Sequence, residues 1–260
     1  MGAEQALVES KEKSRMASPR HPTTETITRI FLPRFKSGHT RYVELVKGLF
    51  KDGCRWLDAG GGRRIFHDIY DGERELVTRS GRVIVCDADP DSLKDHVSVA
   101  DLICCDLARI PLPPCSFDLI TCGMVVEHLP HPAESIKELG RVLDRGGKLV
   151  IHTVNLWGYP TIMAILSKVL PFRKQLIAKV TGRMEEDIFP TRYRCNTAGA
   201  ITKYVQDAGL QVEAIHFWNH GVLFRSFPPL ALLECLYQRL VGQSIFSRLR
   251  GQLLVIATKP

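Results

Sequence analysis

A buried strand that runs directly into an acidic residue and three consecutive glycines constrains this chain most. Residues 55–64 read Arg-Trp-Leu-Asp-Ala-Gly-Gly-Gly-Arg-Arg, with Trp56 and Leu57 as the apolar part. Glycine permits positive φ and close approach of another group to the backbone. In open α/β sheets such a turn presents backbone to a nucleotide-like ligand. Glycine turns also follow strands for structural reasons alone, so the prediction depends on what comes later in the chain.

Short apolar segments alternate with helical patterns after that turn. The predicted strands are residues 54–58, 81–87, 102–106, 116–122, 148–155, 210–218 and 253–258. Before the first strand, residues 40–50 repeat apolar side chains at the spacing of one helical face. This alternation predicts an α/β fold with a doubly wound, mostly parallel sheet. The helix after the fourth strand is predicted to end at Gly146-Gly147.

Acidic residues close the first three predicted strands, at Asp58, Asp87 and Asp106. Asp87 lies 27 residues after Gly60, which suits a carboxylate that accepts hydrogen bonds from ribose hydroxyls. The alternative is a helix cap, because Asp89-Pro90 begins the next segment. We assign ribose binding to Asp87 and capping to Asp89.

Four regions follow from these patterns. A flexible N-terminal tail is expected over residues 1–26, a cofactor-binding core with N-terminal helices over 27–155, a helical lid insertion over 156–195, and the rest of the sheet with a further lid segment over 196–260. The insertion carries the basic residues Arg173, Lys174, Lys179 and Arg183 beside apolar ones. Such a segment either lies on a membrane surface or packs on its own domain, and the sequence leaves both open.

Composition narrows the setting. The chain is 45% apolar and 24% charged with a formal charge of +7, which is ordinary for a globular protein and permits anionic partners without requiring them. The eight cysteines form no C-x-x-C pair, so we expect reduced thiols, a cytoplasmic protein and no zinc site. No apolar run is long enough to span a bilayer, and the first 25 residues do not resemble a signal peptide. Peripheral membrane contact stays open.

Six segments in register resemble class I S-adenosylmethionine-dependent methyltransferases, in particular the group that includes the ubiquinone/menaquinone-biosynthesis type. The segments are Leu57-Asp-Ala-Gly-Gly-Gly62, Val85-Cys-Asp87, Cys105-Asp-Leu107, Ser116-Phe-Asp-Leu-Ile120, Val126-Glu-His-Leu129 and Glu138-Leu-Gly-Arg-Val-Leu143 with Gly146-Gly147. Their order and spacing match over about residues 41–155. The chain departs from the pattern D-x-G-x-G-x-G at its last position, which is Arg64.

The resemblance implies seven strands with the last one antiparallel, and S-adenosylmethionine bound over the carboxyl ends of the strands. Asp58, Ala59 and the backbone of Gly60–Gly62 would hold the methionine part. The remaining cofactor contacts implied are Asp87 on the ribose, Ala88 against the adenine, Asp106 and Leu107 at the adenine edge, and Met124 after the fourth strand.

The reaction needs few catalytic side chains, because alignment of the acceptor and exclusion of water supply much of the rate. An oxygen or acidic carbon acceptor also loses a proton, and His128 is the candidate base. The alternative is that Glu127 and His128 only fix the loop. Relatives that bind a divalent cation use this pair and an acid three positions before the glutamate; Met124 stands there, so no metal is predicted.

The methyl acceptor is predicted to contact Asn155, Trp157, Tyr159, Arg192 and Tyr193. Arg192 and Arg194 either hold an anionic group or cap the preceding helices. The aromatic and aliphatic content of both lid segments favours a rather apolar small molecule, similar to a lipid, polyketide or quinone. The oligomeric state is not predicted.

Three other functions fit the sequence less well. A nicotinamide dehydrogenase is disfavoured because Asp58 precedes the glycines and because residues 127–129 match methyltransferases. A non-catalytic scaffold of the same fold is disfavoured by the intact Asp58, Asp87 and Asp106. Nucleic acid is not an expected partner, because no N-P-P-Y-type motif occurs and the basic residues are dispersed.

Overall fold

The computed structural model describes residues 22–66, 70–167, 190–224 and 226–260. The chain divides into two compact units. The first comprises residues 1–35, 162–189 and 221–247, and the second comprises 36–161, 190–220 and 248–260. Most of the predicted tail and the basic stretch from Arg173 to Arg183 lie outside the described residues.

A seven-stranded sheet forms the centre of the second unit. Its strands are β1 (Arg55–Ala59), β2 (Arg82–Asp87), β3 (Leu102–Cys104), β4 (Phe117–Gly123), β5 (Leu143–Val154), β6 (Gln211–Trp218) and β7 (Gln252–Thr258). Their spatial order is β3-β2-β1-β4-β5-β7-β6. The first five run parallel, whereas β7 pairs antiparallel with both β5 and β6. The predicted doubly wound sheet with an antiparallel last strand is therefore confirmed.

Eight α-helices fall within the described ranges. They are α1 (Pro22–Phe31), α2 (Gly38–Leu49), α3 (Tyr70–Arg79), α4 (Pro90–Lys94), α5 (Pro132–Val142), α6 (Tyr159–Leu166), α7 (Ala198–Asp207) and α8 (Pro228–Val241), followed by a 3₁₀ helix at Ser244–Leu249. Helix α1 begins inside the segment that the sequence assigned to the tail, with Pro22 as its first residue. No described helix has both the length and the apolarity needed to cross a membrane.

Both faces of the sheet are covered, as a parallel sheet requires. Helices α5 and α7 contribute Ile136, Leu139 and Val205 to one core, which covers one face. Helix α2 contributes Tyr42 and Val46 to the core on the other face. The strands therefore carry continuous apolar runs, and for this reason the sequence predicts them.

Helix caps fix where the layers begin. Ser37 caps α2 by accepting a hydrogen bond from the backbone N–H of Thr40 at 3.1 Å. Asp89 caps α4, and its carboxylate accepts from the N–H groups of Asp91 and Ser92. The predicted capping role of Asp89 is thus confirmed.

The predicted end of the helix after β4 at Gly146-Gly147 is wrong. Helix α5 ends at Val142, and the chain passes at once into β5. The Lys259 ammonium donates to the carbonyl oxygens of Gly140 and Leu143 at 2.9 and 2.7 Å. Lys259 thus provides hydrogen bonds to carbonyl groups at the end of the helix, which a glycine motif would provide in other helices. Sequence spacing does not reveal such a contact, because Lys259 is distant in the chain.

The first unit has its own small core. Helices α1 and α8 belong to it, and Ile27 and Phe31 pack with Val222, Ala231 and Cys235. The division into units differs from the four sequence regions, because the first unit joins three separated pieces of chain. Contacts between distant segments create it, and local patterns cannot show them.

Candidate functional site

The glycine turn after β1 folds back between neighbouring strands. The Gly60 N–H donates to the Cys86 carbonyl at 2.7 Å, and Gly60 has φ of 80°. A Cβ on Gly60 would lie 2.8 Å from Val125 Cγ1. A Cβ on Gly61 would overlap the Asp58 carboxylate and lie 2.6 Å from Val85 Cγ1. Side chains are excluded here because a Cβ at either glycine would lie closer than van der Waals distance to β2 or to the loop after β4.

Asp58 lies beneath this turn with only 3% of its surface exposed. Its Oδ1 accepts a hydrogen bond from Thr121 Oγ1 at 2.6 Å, and Thr121 Oγ1 accepts from Trp56 Nε1 at 2.7 Å. Burial raises the pKa of Asp58 well above its usual range, and the nearby Glu73 and Asp87 raise it further, while the Thr121 hydrogen bond opposes the rise. The protein therefore holds an acid in a place that disfavours its negative charge.

Asp87 occupies the carboxyl end of β2 and faces the same turn. Its Oδ2 accepts from the Gly62 N–H at 2.9 Å, and its Oδ1 accepts from the Asp89 N–H at 2.9 Å. These bonds fix both carboxylate oxygens and leave each with further acceptor capacity. Because the cap of α4 is Asp89, a ribose-binding role for Asp87 is compatible with the geometry.

The third acidic position lies after β3 at the surface. Asp106 is exposed, and its Oδ1 accepts from the Ala108 N–H at 2.9 Å. The Leu107 side chain is buried in the core, so a contact with a ligand would use its backbone. Ala88 is exposed just beyond the end of β2. The carboxyl ends of β1, β2 and β3 thus bring the predicted cofactor residues to one edge of the sheet.

The loop after β4 begins in a strained conformation. Met124 has φ of 59°, which non-glycine residues rarely adopt, and its N–H donates to the His152 carbonyl at 2.7 Å. Such residues persist only where the surrounding structure enforces them, and they are frequent in functional sites. The next residue, Val125, lies against Gly60, where a Cβ would come within 2.8 Å of Val125 Cγ1.

Glu127 anchors this loop to β5. Its carboxylate is buried and accepts from Thr153 Oγ1 at 2.7 Å, while Thr153 also accepts from Asn196 Nδ2 at 2.7 Å. Burial raises the pKa of Glu127, whereas the Thr153 hydrogen bond and the charge of His128 lower it. The arrangement is a satisfied polar cluster that holds the loop in place.

The segment 190–196 is joined to the same loop through backbone groups. The N–H groups of Arg192 and Tyr193 donate to the Glu127 carbonyl at 2.7 and 3.1 Å, and Tyr193 has φ of 53°. The His128 ring nitrogen Nδ1 lies 3.1 Å from the Pro190 carbonyl. Since a carbonyl only accepts, Nδ1 carries the proton and Nε2 the lone pair in the neutral ring.

Two of the predicted acceptor residues, Arg192 and Tyr193, lie within the segment 190–196, and the other three follow β5. Arg194, which the sequence offered as an anion ligand or a cap, donates to the Pro130 carbonyl at 2.6 Å. Asn155 is fully buried and donates to the carbonyl oxygens of Arg248 and Arg250, both at 2.7 Å. This geometry gives Asn155 a positioning role; its contact with an acceptor stays a prediction.

Trp157 and Tyr159 differ in their surroundings. The Trp157 side chain is 60% exposed. The Tyr159 hydroxyl is hydrogen bonded to His220 Nε2 at 3.2 Å. The contact of both side chains with an acceptor stays a prediction.

Sequence reasoning missed the polar residues that support the site. Thr121, Thr153 and Asn196 lie in or next to strands and hold Asp58 and Glu127. The available signal was a threonine inside an otherwise apolar buried strand, because such a hydroxyl needs a partner. In the part of the chain that the structure describes, no three histidine, cysteine or acidic side chains are grouped as metal ligands. The absence of a metal stays a prediction.

Comparison with known proteins agrees with this geometry. Residues 57–151 match the family described as "Methyltransferase domain". The chain is 27% identical over 139 residues to a ubiquinone/menaquinone biosynthesis C-methyltransferase of Laribacter hongkongensis, which covers 50% of this chain and 56% of that protein. It is 29% identical over 102 residues to a ubiquinone biosynthesis O-methyltransferase of Xanthomonas euvesicatoria, which covers 39% of this chain and 38% of the relative. The chain thus spans little more than half of the first relative and less of the second.

A solved structure extends the likeness to most of the fold. A SAM-dependent methyltransferase from Aquifex aeolicus superposes with a TM-score of 0.52 at 14% identity, over 91% of this chain and 98% of that one. Residues 57–151 are therefore similar to a methyltransferase domain, and the predicted fold class and the predicted resemblance to this family are confirmed.

Proposed function

We propose that this chain transfers the methyl group of S-adenosylmethionine to a small, rather apolar acceptor. The observation that carries the proposal is the glycine turn closed on two carboxylates, with Gly61 directly above Asp58 and the Gly62 N–H on Asp87. The methyltransferase-domain match over residues 57–151 supports the reaction type.

The residues at this edge fit the cofactor. The places that side chains would fill at Gly60 and Gly61 are closed by Val125, Val85 and the Asp58 carboxylate. At Gly62 a Cβ would meet nothing nearer than 3.7 Å, so this stretch of backbone is open to a ligand. Asp87 would bind the ribose hydroxyls through oxygens that the Gly62 and Asp89 N–H groups already orient. Ala88, Asp106 and the backbone of Leu107 would surround the adenine, and Met124 would border the methionine part.

The charges near the turn suit a cationic ligand. Burial of Asp58 raises its pKa, and the negative charges of Glu73 and Asp87 raise it further. The cofactor carries a positive sulfonium and an α-ammonium group. A bound cation would favour the ionised form of Asp58, so the protein's unfavourable buried carboxylate becomes a favourable contact when the ligand is present.

When bound, S-adenosylmethionine supplies an activated methyl group. The chain's own task is then to orient the acceptor and to keep water away. The loop after β4 and the segment 190–196 share the Glu127 carbonyl as a common anchor, which fixes their separation. Tyr193, Trp157 and Tyr159 would contact the acceptor, Asn155 would hold the turn next to them, and Arg192 would meet a polar or anionic substituent.

A lipid-like or quinone-like ring is the acceptor class that we favour over polyketides. Two of the related proteins are named for ubiquinone or menaquinone biosynthesis, which supports this choice. The exposed indole of Trp157 supports an apolar ring. No nucleic-acid partner is proposed.

His128 is the proposed general base. The Pro190 carbonyl fixes the proton of the neutral ring on Nδ1, so Nε2 would accept the proton of an acceptor hydroxyl or acidic carbon. Glu127 does not share this role, because its carboxylate binds Thr153 inside the protein. The inward contact of Glu127 is of the loop-fixing kind that the predicted alternative describes.

Parallel calorimetric titrations test the proposal. The purified protein is titrated with S-adenosylmethionine, S-adenosylhomocysteine and NAD, and the Asp87→Ala variant is the control. Micromolar binding of the first two ligands, lost in the variant, is the expected result. Tight binding of NAD would instead support a dehydrogenase. Cofactor binding without methyl transfer to any of a panel of quinols and lipids would support the scaffold alternative.

A further inference from the structure

Helix α8 of the first unit has the reverse polarity of an ordinary surface helix. Its buried side carries Glu234 and Gln238 together with Ala231, Cys235 and Val241. Its outer side carries Leu230, Leu233, Leu236 and Leu240, which are 44, 62, 45 and 49% exposed. At 100° per residue these four leucines lie within about 120° of the helix circumference. We call this set the leucine face.

The buried glutamate fixes the helix in this rotation. Its carboxylate oxygens accept hydrogen bonds from the Leu223 N–H at 2.9 Å and from the Phe224 N–H at 3.1 Å. Turning the helix to bury the leucines would expose this carboxylate and leave two backbone donors without it. Breaking such charge-assisted bonds is strongly unfavourable. The outward direction of the leucines is therefore built into the fold.

Exposed apolar side chains are concentrated in the same unit. Of the sixteen large apolar side chains exposed in the described ranges, twelve belong to the first unit, although this unit has 90 of the 260 residues. Ile245 and Phe246 lie in the 3₁₀ helix after α8, and Ile245 is 79% exposed. Monomeric proteins rarely expose apolar surface in this concentration unless it meets a partner or a membrane.

The positive charge of the first unit favours an anionic partner. Its sequence contains 13 Lys and Arg against 8 Asp and Glu, so it carries a net +5 of the chain's +7. Anionic headgroups attract such a unit and bury apolar side chains beneath them. A second copy of the chain would bring a second positive unit and be repelled.

We propose that the leucine face of α8, continued by Ile245 and Phe246, docks on the surface of a bilayer that contains anionic lipid. The leucines enter the boundary between headgroups and acyl chains, while Arg239 on the flank of the helix meets the headgroups. This proposal is independent of the proposed methyl transfer and needs neither cofactor nor acceptor.

Vesicle co-sedimentation tests it with the full chain. Vesicles of equal parts phosphatidylglycerol and phosphatidylcholine are compared with vesicles of phosphatidylcholine alone. The wild-type protein is expected to bind the mixed vesicles at least about tenfold more strongly, because basic residues near an anionic surface add to the apolar contact. Absence of binding to the mixed vesicles, or equal binding to both kinds, would overturn the proposal.

A double variant distinguishes the leucine face from general stickiness. Leu233→Gln with Leu240→Gln should weaken binding at least about tenfold. The matched control, Val97→Gln with Ile215→Gln, removes two exposed apolar side chains of the second unit and should bind as the wild type does. Thermal melting of both variants checks that they fold.

Two further measurements keep the outcome decisive. Arg239→Gln removes only a charge beside the face and should weaken binding to the mixed vesicles about fivefold, without change on phosphatidylcholine. Light scattering in solution should find the same monomer for the wild type and the double variant. Wild-type binding by the double variant, or a wild-type dimer that the double variant separates, would contradict a lipid partner.

Discussion

Replacing Asp58 with asparagine should stabilise the protein and weaken its cofactor binding at the same time. The carboxylate is buried, and both its burial and the charges of Glu73 and Asp87 raise its pKa. Asparagine keeps an acceptor oxygen for the Thr121 hydroxyl, which donates at 2.6 Å. The substitution therefore removes the unfavourable charge without removing the hydrogen bond that holds the side chain.

The magnitude follows from the same contacts. Confining a carboxylate in such a place costs of the order of a few kcal/mol, part of which the Thr121 bond offsets. We expect the Asp58→Asn substitution to raise the free energy of unfolding by about 1–2 kcal/mol near neutral pH. This change corresponds to a melting point about 3–6 °C higher. The lost contact with a cationic ligand should cost about 2 kcal/mol, or about 30-fold in the dissociation constant.

The pH dependence gives an independent check. The pKa of Asp58 is higher in the folded protein than in the unfolded chain, where it has its ordinary value of 3.8. Destabilisation by the carboxylate is therefore fully present above the raised pKa and disappears as the pH falls through it toward 3.8. The stability difference between the variant and the wild type should shrink over that acidic range.

Scanning calorimetry across this range and titration with S-adenosylhomocysteine measure both effects. Thr121→Val is the matched control, because it removes the supporting hydroxyl and leaves the charge. It should destabilise the protein while the variant at Asp58 stabilises it. An Asp58→Asn protein that melts below the wild type and binds the cofactor equally well would refute the reasoning.

Four further predictions concern the site and the core beneath it. Asp87→Ala should weaken binding of S-adenosylmethionine by about 100-fold in calorimetry and change the melting point little, because Asp89 still caps α4. Gly61→Ala should lose about 1–3 kcal/mol of stability in denaturant unfolding, since its Cβ would overlap a carboxylate fixed beneath it. His128→Gln should lower kcat by about 100-fold with cofactor affinity unchanged; an unaltered kcat would leave a loop-fixing role. Burial and the charge of His39 lower the pKa of His152 to about 3 from an ordinary 6.5. The protein should therefore lose stability as the pH falls below 6.5, by up to about 1.4 kcal/mol per pH unit. The His152→Phe variant should lose less stability than the wild type on acidification, as measured by calorimetry.

The glycine turn and the two carboxylates that contact it were predictable because they depend on short-range signals. A buried strand, an acid and a glycine turn are contiguous over residues 56–62, and a second buried strand that ends in an acid follows at Asp87. Parallel strands then bring their carboxyl ends together, as the structure shows for β1 and β2. The fold class followed from the same repetition.

The supporting contacts were not predictable for the opposite reason. The Lys259 ammonium reaches carbonyl groups of α5 from more than 110 residues away in sequence, so the end of that helix was misplaced. The Thr153 hydroxyl holds Glu127 across 26 residues, and Asn196 reaches it across 43. Nothing in the local periodicity of a strand encodes which hydroxyl will meet which carboxylate.

The Glu127-His128 pair shows how one motif can divide into two roles. Glu127 binds inward with its side chain and outward with its backbone carbonyl, which receives Arg192 and Tyr193. His128 is fixed at Nδ1 by the Pro190 carbonyl, two residues before Arg192. Glu127 therefore fixes the distance between the loop after β4 and the segment 190–196. The orientation of the His128 ring depends on that distance, because Pro190 belongs to the second segment. Disturbing Glu127 should consequently misplace His128 before it affects Asp87, because the Asp87 carboxylate is bound by the separate glycine turn.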